Sequence, residues 1–299
     1  GNWQAAWRWM AEAGDLRELN VALPAMSDYF LQRGPFARAL QLLAPAIERL
    51  QRDAAQLQQP ALHIHLLLCH AELQCKLGHN EQLDNVLTQT ITLTQQLGDP
   101  LWEAQACHIQ SMVLAMQGNY EQAAAAAEKS AQLAQAAKYQ RQLAKAYHAL
   151  GEINRRRGNH PAAAPLFEQA LHIFQAEEDR INIIDCQHQL GLTWMDSNQL
   201  PLARRMFQEC LTLAKQMGER TLETSSLLNL GIIHDFFGEY DRSRALFEEA
   251  QQLAEEIGSH EYIHAALTNA GLAAQLVGNF DKAREHYQRV LYALRATPG

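Results

Sequence analysis

Between residues 140 and 177 the apolar side chains fall into two stripes. Leu143, Ala146, Tyr147 and Leu150 recur at helical spacing, Gly151 follows, and the chain then stays polar as far as Gly158. A second run holds Ala163, Leu166, Phe167, Ala170, Leu171 and Phe174, at offsets of 0, 3, 4, 7, 8 and 11. Those offsets put all six side chains on one face of an α-helix. The segment therefore predicts a helix, a tight turn and a second helix. The same pattern returns every 40 residues, with turns at Gly78, Gly118, Gly158, Asn198, Gly238 and Gly278. A fixed period of this length means stacked units, none able to bury its apolar face alone.

The repeat also runs in columns. Gly151, Gly191, Gly231 and Gly271 align, with Ser111 and Ala71 in the earlier units. A small residue there lets two helices approach closely. Ala123, Ala163, Ala203 and Ala283 align, with Ser243 in the same place. Phe167, Phe207, Phe247 and Tyr287 form an aromatic column. Asp99-Pro100 reads as a cap followed by proline at a helix start, and Pro161 and Pro201 suit first helical turns. A divergent unit with Gly34, Pro35, Phe36, Ala39 and Leu43 precedes the six, and its second helix is expected to run on through Gln51–Gln59. The expected organisation is a leader helix at 1–15, a divergent first repeat at 16–59, and six repeats at 60–299 in one continuous solenoid.

A small residue in the first helix, a Gly-Asn-Tyr-like turn, then Ala and an aromatic in the second resemble the tetratricopeptide repeat. The usual period of that repeat is about 34, so the 40-residue unit implies longer helices, as in kinesin light chains, Pins-like adaptors and bacterial regulators. The resemblance implies an all-α, right-handed superhelical solenoid of antiparallel helix pairs with a concave groove. The opening NWQAAWRWMAEAGD, with Trp3, Trp7 and Met10 on one helical face, resembles the segment after the nucleotide-binding module of bacterial signal-transduction ATPases. That resemblance implies a sensor or scaffold region. The chain opens Gly1-Asn2-Trp3 and reads as a piece of a longer protein, with any ATPase upstream.

Composition narrows the partner. Apolar residues make up 47% of the chain, enough to build a core. The net charge of −8 argues against direct binding of nucleic acid, which needs a basic face. No apolar run reaches membrane-spanning length, so no membrane partner is expected. Cys69, Cys75, Cys107, Cys186 and Cys210 are odd in number and form no CxxC, which fits reduced thiols in a cytoplasmic protein.

Little in the chain reads as catalysis. His260-Glu261-Tyr262-Ile263-His264 fits HExxH, a zinc motif when both histidines share a helix face. It lies where a repeat's first helix begins, and the same columns elsewhere hold unrelated residues. No metal, cofactor or enzymatic activity is expected. Binding is the expected work. His108, His148 and His188 are spaced by 40 at a position that, by the tetratricopeptide resemblance, faces the groove. A ligand-touching ladder and a polar lining satisfied by neighbours or water both fit them.

The same register places Lys145, Glu152, Arg155 and Arg156 in the groove, then Asp185, Leu192, Met195 and Asp196, then Ser225, Ile232, Asp235 and Phe236, then Thr268, Leu272, Gln275 and Leu276, with Met112 and Met116 earlier. Arginines in a concave surface can anchor carboxylate or phosphate, although they could equally be solvated charges. Asn229 and Asn269 match an asparagine that grips extended peptides in tetratricopeptide adaptors. The candidate groove residues are thus His108, His148, Glu152, Arg155, Arg156, Asp185, His188, Asn229 and Asn269. The expected partner is a protein or extended peptide. The alternative is a small-molecule inducer in a closed pocket near Arg155 and His188.

Overall fold

The computed structural model describes residues 2–12, 16–33, 36–52, 59–79 and 83–296. Among them are fifteen α-helices and no strand. They are α1 (Asn2–Glu12), α2 (Leu16–Arg33), α3 (Phe36–Arg52), α4 (Pro60–Lys76), α5 (Leu83–Leu97), α6 (Pro100–Met116), α7 (Tyr120–Ala136) and α8 (Gln140–Arg156). Then come α9 (His160–Ala176), α10 (Arg180–Asp196), α11 (Leu200–Met217), α12 (Arg220–Phe236), α13 (Tyr240–Glu256), α14 (His260–Leu276) and α15 (Phe280–Ala296). The fold class is the all-α one expected. The turn expected at Gly34 and most of the extension expected after Arg52 fall outside the described residues. Gln59 belongs to neither helix core; it sits at the N-cap of α4.

Every described helix end from Gly78 to Gly278 uses the same stop. A residue with positive φ appears at 78, 98, 118, 138, 158, 178, 198, 218, 238, 258 and 278, a spacing of twenty. Gly118 shows the geometry. Its N–H donates to Ala115 O (3.1 Å) and the Asn119 N–H donates to Leu114 O (2.8 Å), which satisfies the last carbonyls of α6. Lys138, Glu178 and Asn198 adopt the same left-handed conformation with a side chain attached.

The chain forms two compact units, Gly1–Asn159 and His160–Gly299. In the first, α1 closes the core. Trp7 is buried and its indole N–H donates to Leu42 O at 2.7 Å. Arg49 of α3 donates to Met10 O and Ala11 O, covering the open carbonyls at the end of α1. Leu19, Leu23 and Phe30 of α2 join Leu43, Leu62, Leu66 and Leu73 in one cluster. A polar bridge links α6, α7 and α8: Ser130 Oγ donates to Ala104 O (2.7 Å), and the Gln142 amide donates to Ser130 Oγ (3.2 Å).

In the second unit the aromatic column forms the packing. Phe207 and Phe247 are fully buried. A Cβ added at Gly191 would lie 2.7 Å from Phe207 Cε1, and one added at Gly271 would lie 2.6 Å from Tyr287 Cε1. Gly231 stands in the same relation to Phe247. Only glycine leaves room for the ring.

Within each unit the first helices of successive pairs touch one another. This holds for α4, α6 and α8, and for α12 and α14, while no two second helices are in comparable contact among the described residues. First helices therefore occupy the tighter side of each unit.

Candidate functional site

In the first unit the first-helix face forms a half-open cavity of about 140 Å³ between α2, α4, α6 and α8. His65, Gln105 and Lys145, one 40-residue column, all line it. So do Ser27, Glu72 and His108, with Leu31, Leu68 and Ile109 as an apolar wall. The His108 imidazole is held neutral. Burial pushes its pKa down to about 3, helped by the positive charges of Lys145, His148 and Lys76. His148 is half-buried on α8, close enough to act on His108 electrostatically.

The arginine pair divides. Arg156 donates to Glu152 one helical turn earlier, so these two predicted residues satisfy each other. Arg155 is half-buried in the last turn of α8.

In the second unit His188 of α10 and Asn229 of α12 come together, with Asn229 Nδ2 and His188 Nε2 3.4 Å apart. The His188 ring also meets Phe207 edge-on, centroids 5.6 Å apart. The aromatic column thus positions a predicted site residue as well as the core. Asp185 and Asn269 are half-buried on α10 and α14. Beside the asparagine column lie three exposed apolar side chains: Phe236 (67%), Leu272 (47%) and Leu276 (62%). Phe236 and Leu276 occupy equivalent positions of successive repeats.

The HExxH segment opens α14. Ser259 caps that helix by accepting from the Tyr262 N–H, and His260 and Glu261 are exposed in its first turn. Among the described residues no group of three or more His, Cys, Asp or Glu could hold a metal ion. The five cysteines are buried and none is in a disulfide. Burial pushes the thiol of Cys75 up to about 12 and that of Cys210 to about 11, which leaves little nucleophilic thiolate at neutral pH. No described helix is long and apolar enough to cross a membrane.

Sequence reasoning missed Ser27, Glu72 and Gln105 as neighbours of Lys145. Glu72 shares its column with Met112 and Glu152, and Gln105 shares its column with His65 and Lys145, so neither column has a constant chemistry to notice.

Paired helices of fixed length, stacked so that one helix of each pair presents a shared face, define a repeat-array recognition scaffold. The family model described as tetratricopeptide repeat matches residues 104–176, 142–216 and 222–296. The chain belongs to the tetratricopeptide repeat family. A model described as anaphase-promoting complex subunit 5 matches residues 31–102. No curated protein matches the sequence.

Solved structures share the fold at low identity. A Rap protein complexed with competence and sporulation factor is 16% identical, with a TM-score of 0.68, covering 93% of this chain and 76% of its own. NprR in complex with its cognate peptide NprX is 17% identical, with a TM-score of 0.63, covering 92% and 77%. A signal transduction ATPase with a tetratricopeptide repeat sensor, PH0952 from Pyrococcus horikoshii, is 12% identical, with a TM-score of 0.70. It covers 90% of this chain but only 41% of its own.

Proposed function

We propose that this protein is a non-catalytic scaffold that binds a protein or an extended peptide along the first-helix face, as the sensor or interaction part of a larger cytoplasmic regulator. The observation that carries the reading is the surface of α12 and α14. Asn229 and Asn269, at one repeat position, can each donate and accept toward a peptide backbone. Phe236, Leu272 and Leu276 stand beside them uncovered, where side chains of an extended peptide would be buried. His188 extends this surface through its contact with Asn229. In the same reading His108, His148, Glu152, Arg155 and Arg156 belong to the binding face of the first unit, and Asp185 to that of the second. The peptide-bound NprR structure and the sensor of PH0952 support the role by fold alone.

The test is selection of binders from a random-peptide library on the 299-residue protein, followed by titration of a selected peptide. Asn229→Ala with Asn269→Ala, and Phe236→Ala with Leu276→Ala, should each weaken binding by about tenfold or more, as for central interface contacts. A library that yields no binder, or a peptide indifferent to both double substitutions, would sink the reading.

A further inference from the structure

The cavity of the first unit is built for something smaller than a peptide. Ser27 is only 5% exposed, and its Oγ has no hydrogen-bond partner in the protein. His108 Nδ1 is likewise enclosed and unpartnered. Glu72, Gln105 and Lys145, half-buried around the same space, make no hydrogen bond or ion pair among the described residues. Polar atoms as enclosed as Ser27 Oγ and His108 Nδ1 are ordinarily satisfied. The contrast with Gln142 is direct, because its amide on the same wall is spent on Ala104 O and Ser130 Oγ.

We propose that this cavity binds a free aliphatic α-amino acid. The lining offers one cation, Lys145, for a carboxylate and one anion, Glu72, for an ammonium. Gln105 and Ser27 can complete either end, since an amide and a hydroxyl both donate and accept. The neutral imidazole of His108 adds a further polar contact without adding charge. Leu31, Leu68 and Ile109 supply an apolar wall for the side chain. A simple acid would leave Glu72 unpaired, and a simple amine would leave Lys145 unpaired. A residue inside a peptide carries neither charge. The size also fits. At about 30 Å³ per water, 140 Å³ holds roughly five waters or one small solute.

The proposal shares His108 with the peptide reading, but the observation that carries that reading lies on α12 and α14 of the second unit. It is tested on the whole 299-residue chain with leucine, isoleucine and valine, each at up to about 10 mM, by calorimetry and by the shift in melting temperature. One of them should bind at a single site. Lys145→Met and Glu72→Gln should each weaken it by about tenfold or more, as expected for charged hydrogen bonds. Two analogues of leucine probe the two ends separately: 4-methylpentanoate lacks the ammonium and 3-methylbutylamine lacks the carboxylate. Both should bind at least about tenfold more weakly than leucine. Asn229→Ala should leave amino-acid binding unchanged, so failure here is distinguishable from failure of the peptide reading.

If none of the three amino acids binds, the cavity holds only water and the proposal falls. It falls equally if 4-methylpentanoate binds as well as leucine, or if both charge substitutions leave affinity intact. Circular dichroism of the variants shows that each remains folded. Should Lys145→Met prove unstable, Lys145→Gln carries the same test.

Discussion

The two units solve one packing problem with different residues. Where the second unit has glycine at 191, 231 and 271, it has a ring at 207, 247 and 287. Where the first unit has Ala71 and Ser111, the matching second-helix positions hold Leu87 and Ala127. Ala71 with Leu87 divides between two helices about the bulk that Gly231 and Phe247 divide differently, whereas Ser111 with Ala127 puts two small residues at the same pair of positions. Bulk is therefore exchanged between the two columns in some repeats and not in all. The faces differ as well. In the first unit's face Ser27 Oγ and His108 Nδ1 lie unpartnered in a pocket with Glu72, Gln105 and Lys145, while the second unit's is an open strip of amides and exposed apolar side chains. One backbone repeat thus presents two chemically different faces.

The strongest way to break the packing half of that comparison is at Gly231 and Phe247. Phe247→Ala removes a buried aromatic and should cost about 3 to 5 kcal/mol. Gly231→Ala drives a methyl into the same ring and should cost about 1 to 3 kcal/mol by overpacking. Combining Gly231→Ala with Phe247→Leu recreates the natural Ala71–Leu87 pairing of the first unit. The double variant should therefore be more stable than the sum of the single losses, by a coupling of about 0.5 to 3 kcal/mol. Denaturant melts of the parent, Gly231→Ala, Phe247→Leu and the double variant decide it. Strict additivity would mean that the two columns do not compensate.

The polar half is probed by pH. The folded His108 pKa, near 3, lies below the ordinary 6.5, so the unfolded chain binds the extra proton first. Its contribution is complete above about pH 6.5 and is lost as pH falls toward 3. At about pH 4.5, two units below 6.5, the loss should be of the order of 3 kcal/mol. His63, His70 and His286 are also depressed by burial and titrate in the same direction, so the whole protein loses more than this. The specific measure is the difference between the parent and His108→Gln. The melting temperature of the variant should fall less steeply between about pH 6.5 and pH 4.5. Parallel curves would place His108 in water and open the cavity to solvent.

Repetition made the fold legible. Six turns at one spacing, with the glycine and aromatic columns, specify helix pairs without further help. What the columns could not convey was the meeting of Gly231 with Phe247, since a column states what recurs along the chain and not which column it touches. The pocket was hidden for a related reason. Ser27, Glu72, Gln105 and Lys145 come from four helices and fall in columns that mix charge with neutral polar and apolar residues, so no motif announces them. His188 and Asn229 could be read individually from register, but their contact needed coordinates. The helix stops between pairs were obscured most simply: Lys138 and Glu178 do not look like turn residues.

Those stops give the smallest and most evenly matched test of the two units. Lys138 in the first and Glu178 in the second both sit at positive φ, at 62° and 54°. A side chain in the left-handed region costs about 1 kcal/mol that glycine avoids. Glycine also loses more freedom on folding, which offsets part of the gain. Lys138→Gly and Glu178→Gly should each raise stability by a few tenths to about 1 kcal/mol, additively, because the positions share no partner. The same change at Ala137 or Glu177, one residue earlier and at the end of the helix, should lower stability instead. A thermal melt that showed Lys138→Gly destabilising would mean that the lysine side chain earns more from its surroundings than its backbone loses. The twenty-residue rhythm of helix stops would then be set by side-chain contacts, and not by the left-handed cap that the eight glycines share.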